Sequence, residues 1–218
     1  PLLFLAPPKP AVKVAAKTAL PVIVPFRTAE TAMIVDATVN GRKASFMFDT
    51  GFGGTVIVDD SIDIGKPTGT MGLRDFVRTS EAPTVKLRSL KLGDKTIDPK
   101  DKEAVQMPQD GISFSYGQHV DGIMGLSVIK DEITEINFEQ SRFVFHPPTL
   151  DISKRVPDNK RTFLAKLLPL GANSLEMAVE FPNGKKAILA LDTGNSFYAT
   201  THRDTLERIG LWKPGVKP

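Results

Sequence analysis

The sequence predicts an all-β protein built from two related lobes. Three observations point there. Two segments repeat one pattern 143 residues apart, Asn40-Gly-Arg-Lys-Ala-Ser-Phe-Met-Phe-Asp49-Thr50-Gly51 and Asn183-Gly-Lys-Lys-Ala-Ile-Leu-Ala-Leu-Asp192-Thr193-Gly194. Short apolar or alternating runs bounded by Gly, Pro, Asn and Asp outnumber helix-period runs. Between the two copies, residues 147–162 are rich in Pro, Asp and Lys and read as a linker. Internal duplication joined by a linker means two similar lobes.

The bulk numbers fit that class. The 218 residues are 41% apolar and 24% charged, enough for a packed core and too apolar for a disordered chain. The net charge of +3 arises from 28 basic and 25 acidic residues that are scattered rather than blocked, which argues against nucleic-acid binding. With no cysteine, disulfides and thiolate metal sites are excluded. Residues 1–19 open with Pro1-Leu-Leu-Phe-Leu-Ala-Pro-Pro-Lys-Pro10 and read as a flexible tail, its apolar stretch too short to span a bilayer. An exported location is the weak expectation.

Taken in order, Pro21–Phe26 is an apolar run bounded by prolines and suits an edge strand. Met33–Val39 alternates, Asn40-Gly41 provides a two-residue hairpin turn, and Lys43–Phe48 returns as the partner strand into Asp49. Thr55–Val58 is a further apolar run. Strands are also expected over Thr84–Leu92, Ala104–Met107 and Ile136–Phe145. The second copy repeats the hairpin as Leu175–Phe181, Asn183-Gly184 and Lys186–Leu191, with Phe197–Ala199 in the place of Thr55–Val58. Arg203–Gly210 reads as a short helix with Thr201 as N-cap and Gly210 as the stop. Ile64-Gly65 of the first copy corresponds to Ile209-Gly210 of the second.

Two equivalent carboxylates at the ends of two apolar strands are what a catalytic pair needs. Carboxylates held about 3 Å apart at an effective dielectric near 20 repel by roughly 5 kcal/mol, about four pKa units between the two proton losses. One proton is then shared over a wide acidic range, so one Asp accepts a proton from water while the other donates to a carbonyl oxygen or leaving nitrogen. Each Gly lets the backbone turn sharply beside its Asp, and each Thr hydroxyl can reach the opposite loop.

Other motifs are weak. Gly51-Phe-Gly-Gly54 lacks the third glycine of a dinucleotide fingerprint, and Gly65-Lys66-Pro67 lacks phosphate-loop spacing. Ser127-Val-Ile-Lys130 has the spacing of a Ser/Lys pair without supporting motifs and reads as a helix-start serine. His119, His146 and His202 are far apart with no carboxylate pattern around them, so no metal is expected. Trp212 and the Phe residues read as core.

On these residues the chain resembles the aspartic peptidases of the acid-protease fold, nearest to bacterial retropepsin-like members with duplicated lobes. Beyond the paired Asp-Thr-Gly, Val120-Asp-Gly-Ile-Met-Gly125-Leu126 resembles the motif whose strand threads beneath the catalytic loop. Val85–Gly93 is similar to the strand pair after the flap, and Ile136–Phe145 to the hairpin that ends a lobe. The resemblance covers residues 20–146 as one lobe and 163–218 as the beginning of a second, with a central cleft between them. It implies an endopeptidase with Asp49 and Asp192 as the catalytic pair, supported by Thr50, Gly51, Thr193, Gly194 and Asn195, and needing no cofactor or metal. It implies a peptide or protein substrate beneath a flap near Gly69–Thr79, with Gly72 and Phe76 as substrate contacts. Phe52 and Asn195 stand where the family commonly has Ser, Thr or Ala. No second apolar-apolar-Gly motif follows Asp192, so the second lobe is expected to be completed by a missing C-terminal segment or by a second copy in a homodimer. A non-catalytic peptide-binding or assembly module on the same scaffold is the alternative.

Overall fold

The structure, a computed structural model, describes residues 20–74, 79–154, 160, 165–168, 174–197 and 199–215. Strands β1 (Val22–Pro25) and β2 (Arg27–Ala29) lead into β3 (Ala32–Val39). Asn40 and Gly41 take φ of 48° and 87°, the sign a tight two-residue turn requires, and β4 (Arg42–Asp49) folds back antiparallel on β3. Next come β5 (Val56–Val58), β6 (Gly69–Arg74), β7 (Thr79–Lys86), β8 (Leu90–Leu92), β9 (Lys95–Ile97) and β10 (Glu103–Gln106). Helix α1 (Ile112–Tyr116) precedes β11 (Gly122–Gly125), and β12 (Ile133–Asn137) pairs with β13 (Arg142–His146). The second hairpin is β14 (Glu176–Glu180) and β15 (Lys186–Ala190), followed by α2 (Arg203–Arg208). The all-β expectation is met.

The main sheet runs β6-β7-β10-β5-β11-β4-β3-β8-β9, with β2 beside β3. Its decisive feature is β11, which lies parallel to β4 and antiparallel to β5, between the two strands that flank the Asp49 loop. Gly125 stands opposite Asp49 in register, so β11 ends beneath that loop. The threading expected of Val120–Leu126 is therefore present.

The core explains why Asp49 is delivered by a stiff support. Phe46 and Phe48 point into the main cluster with Val35, Leu90, Met124 and Phe143, while Met47 points the other way into a cluster with Ile34 and Val120. Residues 46–48 are thus buried on both faces, and each fully buried large apolar side chain contributes roughly 1.5–3 kcal/mol. Helix α1 closes the second cluster through Ile112 and Tyr116, whose hydroxyl bonds the Met47 sulfur at 2.9 Å.

The duplication extends past the hairpins. Asn40 Nδ2 donates to the Ile64 carbonyl at 2.9 Å, and Asn183 Nδ2 donates to the Ile209 carbonyl at 2.8 Å. Each acceptor is a buried isoleucine followed by a glycine of positive φ, Gly65 at 125° and Gly210 at 74°. One Asn in each copy therefore ties its turn to the chain segment beyond its Asp-Thr-Gly loop.

Several local expectations need correction. Thr84–Leu92 is two strands, because the chain leaves the β7 ladder at Leu87 and rejoins the sheet beside β3 only at Leu90. Helix α2 is capped by His202, not Thr201, with no side-chain capping bond, and it ends at Arg208. Of the run Phe197–Ala199, the described residues Phe197 and Ala199 lie in no strand, and Phe197 is 75% exposed. Trp212 is half-buried against the Arg203 guanidinium, 4.8 Å from the ring centre, rather than in the core. Phe114 and Phe138 are exposed, unlike the buried Phe26, Phe46, Phe48, Phe143 and Phe145. Ser127 lies within a 3-10 turn, Leu126–Val128, whose cap is Gly125. Among the described residues no helix is long and apolar enough to cross a membrane.

Candidate functional site

Each Asp-Thr-Gly loop first satisfies its own carboxylate. Asp49 Oδ1 accepts the Gly51 amide at 2.7 Å and the Phe52 amide at 3.3 Å. Asp192 Oδ1 accepts the Gly194 amide at 2.9 Å. These bonds orient each carboxylate within its own loop, and each carboxylate lies against the glycine of the facing loop.

The two loops then clasp one another through their threonines. Thr50 Oγ1 donates to the Leu191 carbonyl at 2.6 Å and accepts the Thr193 amide at 3.0 Å. Reciprocally, Thr193 Oγ1 donates to the Phe48 carbonyl at 3.0 Å and accepts the Thr50 amide at 3.0 Å. Thr50 is 1% exposed, so water does not replace these bonds cheaply. The glycines are required by the close approach. A Cβ on Gly51 would meet the Asp192 carboxyl carbon at 2.7 Å, and one on Gly194 would collide with the Asp49 carboxyl group. Any side chain at either position would force the loops apart.

Burial and the facing negative charge act together on Asp49. Its carboxyl is pushed up to about 6, first by loss of water, then by the charge of Asp192 and a hydrogen bond with it. The Gly51 and Phe52 amides oppose that rise. The pair can therefore hold one proton at mildly acidic pH, giving a carboxylic acid beside a carboxylate.

Beneath the Asp49 loop, β11 acts as a fixed floor. Gly125 N donates to the Thr55 carbonyl at 2.9 Å, Leu126 N to the Phe52 carbonyl at 2.8 Å, and Ser127 N to the Gly54 carbonyl at 3.2 Å. A Cβ on Gly125 would sit 2.5 Å from the Phe52 carbonyl oxygen and closer still to that of Gly54. Ser127 Oγ donates to Thr55 Oγ1 at 2.8 Å, so this serine supports the loop and its proton is not directed at Lys130. The sequence offered no local signal for that bond, since its partners are 72 residues apart.

The remaining site residues are placed as follows. Phe52 packs its ring against a cluster of Ile57, Ala82 and Val105, the alanine coming from β7. Asn195 Oδ1 accepts from Phe197 N at 3.1 Å and Thr200 Oγ1 at 3.0 Å, so it braces its own loop. Gly72 is exposed on β6, whose hairpin with β7 overhangs the Asp49 loop across a cavity of about 790 Å³. Phe76 lies outside the described residues. Among the described residues no group of three or more His, Asp or Glu could hold a metal ion.

No family model matches the chain, and no curated protein matches it. Among solved structures it is similar to a retropepsin-like aspartic protease from Rickettsia conorii, at 17% identity and a TM-score of 0.41. That match covers 60% of this chain and 96% of the other.

Proposed function

We propose that the chain is an aspartic endopeptidase of the bacterial, duplicated-lobe kind. The observation that carries the reading is the pair of Asp-Thr-Gly loops clasped through Thr50 and Thr193, with the Asp49 proton held to about pH 6 opposite Asp192. In this reading Asp192 accepts a proton from water as the water oxygen bonds to the peptide carbonyl carbon. Asp49 gives its proton to the carbonyl oxygen. Collapse of the tetrahedral adduct breaks the C–N bond: Asp192 gives its proton to the leaving nitrogen, and one hydroxyl of the adduct returns its proton to Asp49 as the C=O bond re-forms. Thr50, Gly51, Thr193 and Gly194 hold the two carboxylates together. The hairpin of β6 and β7 covers an extended peptide, with Gly72 leaving space for its backbone.

The partners follow from the second hairpin. Its Ile188, Leu189 and Leu191 are exposed, as a lobe core awaiting its other layer would be. Either further chain or a second copy completes it in this reading.

The second reading is a non-catalytic peptide-binding module. It is motivated by Phe52, which brings no hydroxyl to the Asp49 carboxylate. The two are separated by digesting a mixed peptide library between pH 3 and 7, with products read by mass spectrometry. The peptidase reading expects cleavage that either Asp49→Asn or Asp192→Asn abolishes. Peptide binding that survives both substitutions, with no cleavage by the unaltered protein, would establish the binding module instead.

A further inference from the structure

The cavity beside the Asp49 loop carries more positive than negative charge. Arg74 at the end of β6, Lys86 at the end of β7, Lys102 before β10 and Lys130 after the 3-10 turn line it, against Asp101 and Glu103. These cations come from four separate segments that meet at the cavity; Lys102 is half-buried and Arg74, Lys86 and Lys130 are exposed. Glu103 stands opposite Lys86 in the β7–β10 register and offsets it locally.

The cations are also uncommitted. Elsewhere charges find partners, as Arg27 does with Asp36 at 2.7 Å and Lys95 with Glu132 at 2.7 Å. Among the described residues, Arg74, Lys86, Lys102 and Lys130 take part in no ion pair. A concave surface with an excess of one sign concentrates field and favours ligands of the other. The loop wall of the same cavity, formed by Gly51, Phe52 and Gly54, has no charge of its own to compete.

We infer that this cavity is a specificity pocket for an acidic side chain, so that the peptides taken by the site carry Asp or Glu close to the bond over the carboxylate pair. Lys102 and Lys130 are its specificity-determining residues, with Arg74 on the opposing hairpin. The inference rests on the peptide-site reading above, but it concerns which peptides are held, not whether they are cut.

The test walks a single Glu, Gln or Lys along an otherwise neutral fluorescent octapeptide. Binding is read by anisotropy to full-length Asp49→Asn protein, at low and at raised salt. At one position the Glu peptide is expected to bind about tenfold tighter than its Gln twin, some 1.4 kcal/mol, with the Lys peptide weakest. Salt should narrow the gap. Adding Lys102→Glu and Lys130→Glu should invert the order. The milder Lys102→Gln and Lys130→Gln pair should remove the preference even if the reversal variant folds poorly. Equal binding of Glu and Gln peptides at every position, an order unmoved by these substitutions, or no peptide binding at all would overturn the inference. Turnover of the Gln peptides by the unaltered protein is scored separately. Cleavage without charge preference sinks only the pocket, and charge preference without cleavage sinks only the peptidase.

Discussion

At Asp49, the raised proton affinity has a consequence for stability that can be signed. The folded carboxyl titrates near 6 against 3.8 for an ordinary Asp, so the folded state binds this proton more tightly than the unfolded chain. The contribution is fully present below about pH 3.8 and is lost as pH rises through about 6. Unfolding free energies from urea titrations between pH 4 and 7 should therefore fall more for the unaltered protein than for Asp49→Asn, by roughly 1–3 kcal/mol across that window. Hydrolysis that uses an Asp49 acid should decline over the same upper limb. Thr50→Val keeps shape but removes the donor to Leu191 and the acceptor for Thr193 N. It should cost about 1–3 kcal/mol in chemical denaturation, since two part-buried backbone groups lose their partners. The Asp and Thr residues were legible in the sequence because both copies keep the same distance from an Asn-Gly turn. The Ser127–Thr55 bond and the ring of cations were not, because they join segments that only the folded sheet brings together.

Strands and turns differ in how much of them the sequence carried. Asn40-Gly41 and Asn183-Gly184 announce their hairpins through backbone chemistry alone, and both form. The runs after the two Asp-Thr-Gly loops look alike in sequence, yet Val56–Val58 is a strand and the described residues Phe197 and Ala199 are in none. Val56–Val58 is held by β10 on one side and β11 on the other, whereas no described strand flanks Phe197. Strand formation there is decided by neighbours rather than by local preference. The start of α2 was misread for a related reason, since a plausible capping residue at Thr201 makes no bond when the chain enters the helix one residue later. The β11 floor provides a sharp test at this scale. Gly125→Ala places a methyl group against the Phe52 and Gly54 carbonyls, which the loop cannot yield without moving Asp49. A loss of about 2–4 kcal/mol is expected from thermal or urea unfolding, with any hydrolysis lost before the fold is.

Across the whole molecule, order is unevenly supported. The first copy sits in a sheet of ten strands with a core on both faces of β4, while among the described residues β14 and β15 form a two-stranded sheet, joined only by a single bridge from Leu167 to Met177, and leave Ile188 62% exposed. Amide hydrogen exchange should show β3, β4 and β11 protected to the global limit and β14–β15 exchanging far sooner. Equal protection in both hairpins of the chain as it stands would mean that the second lobe needs no further layer. The duplicated architecture was legible because each copy repeats a whole hairpin. How unequally the two copies are packed was not, since packing depends on which strands later return to cover each hairpin.

At the centre of the site two carboxylates, Asp49 and Asp192, face each other closely enough to share a proton. Carbon-detected NMR titration of the Asp side chains in the full chain, with and without Asp192→Asn, reads that directly. Asp49 should titrate near 6 in the unaltered protein and fall when the opposing charge is removed, while staying above 3.8 because its burial remains. An Asp49 that titrates near 4 and ignores Asp192→Asn would mean that the two loops do not form a common site.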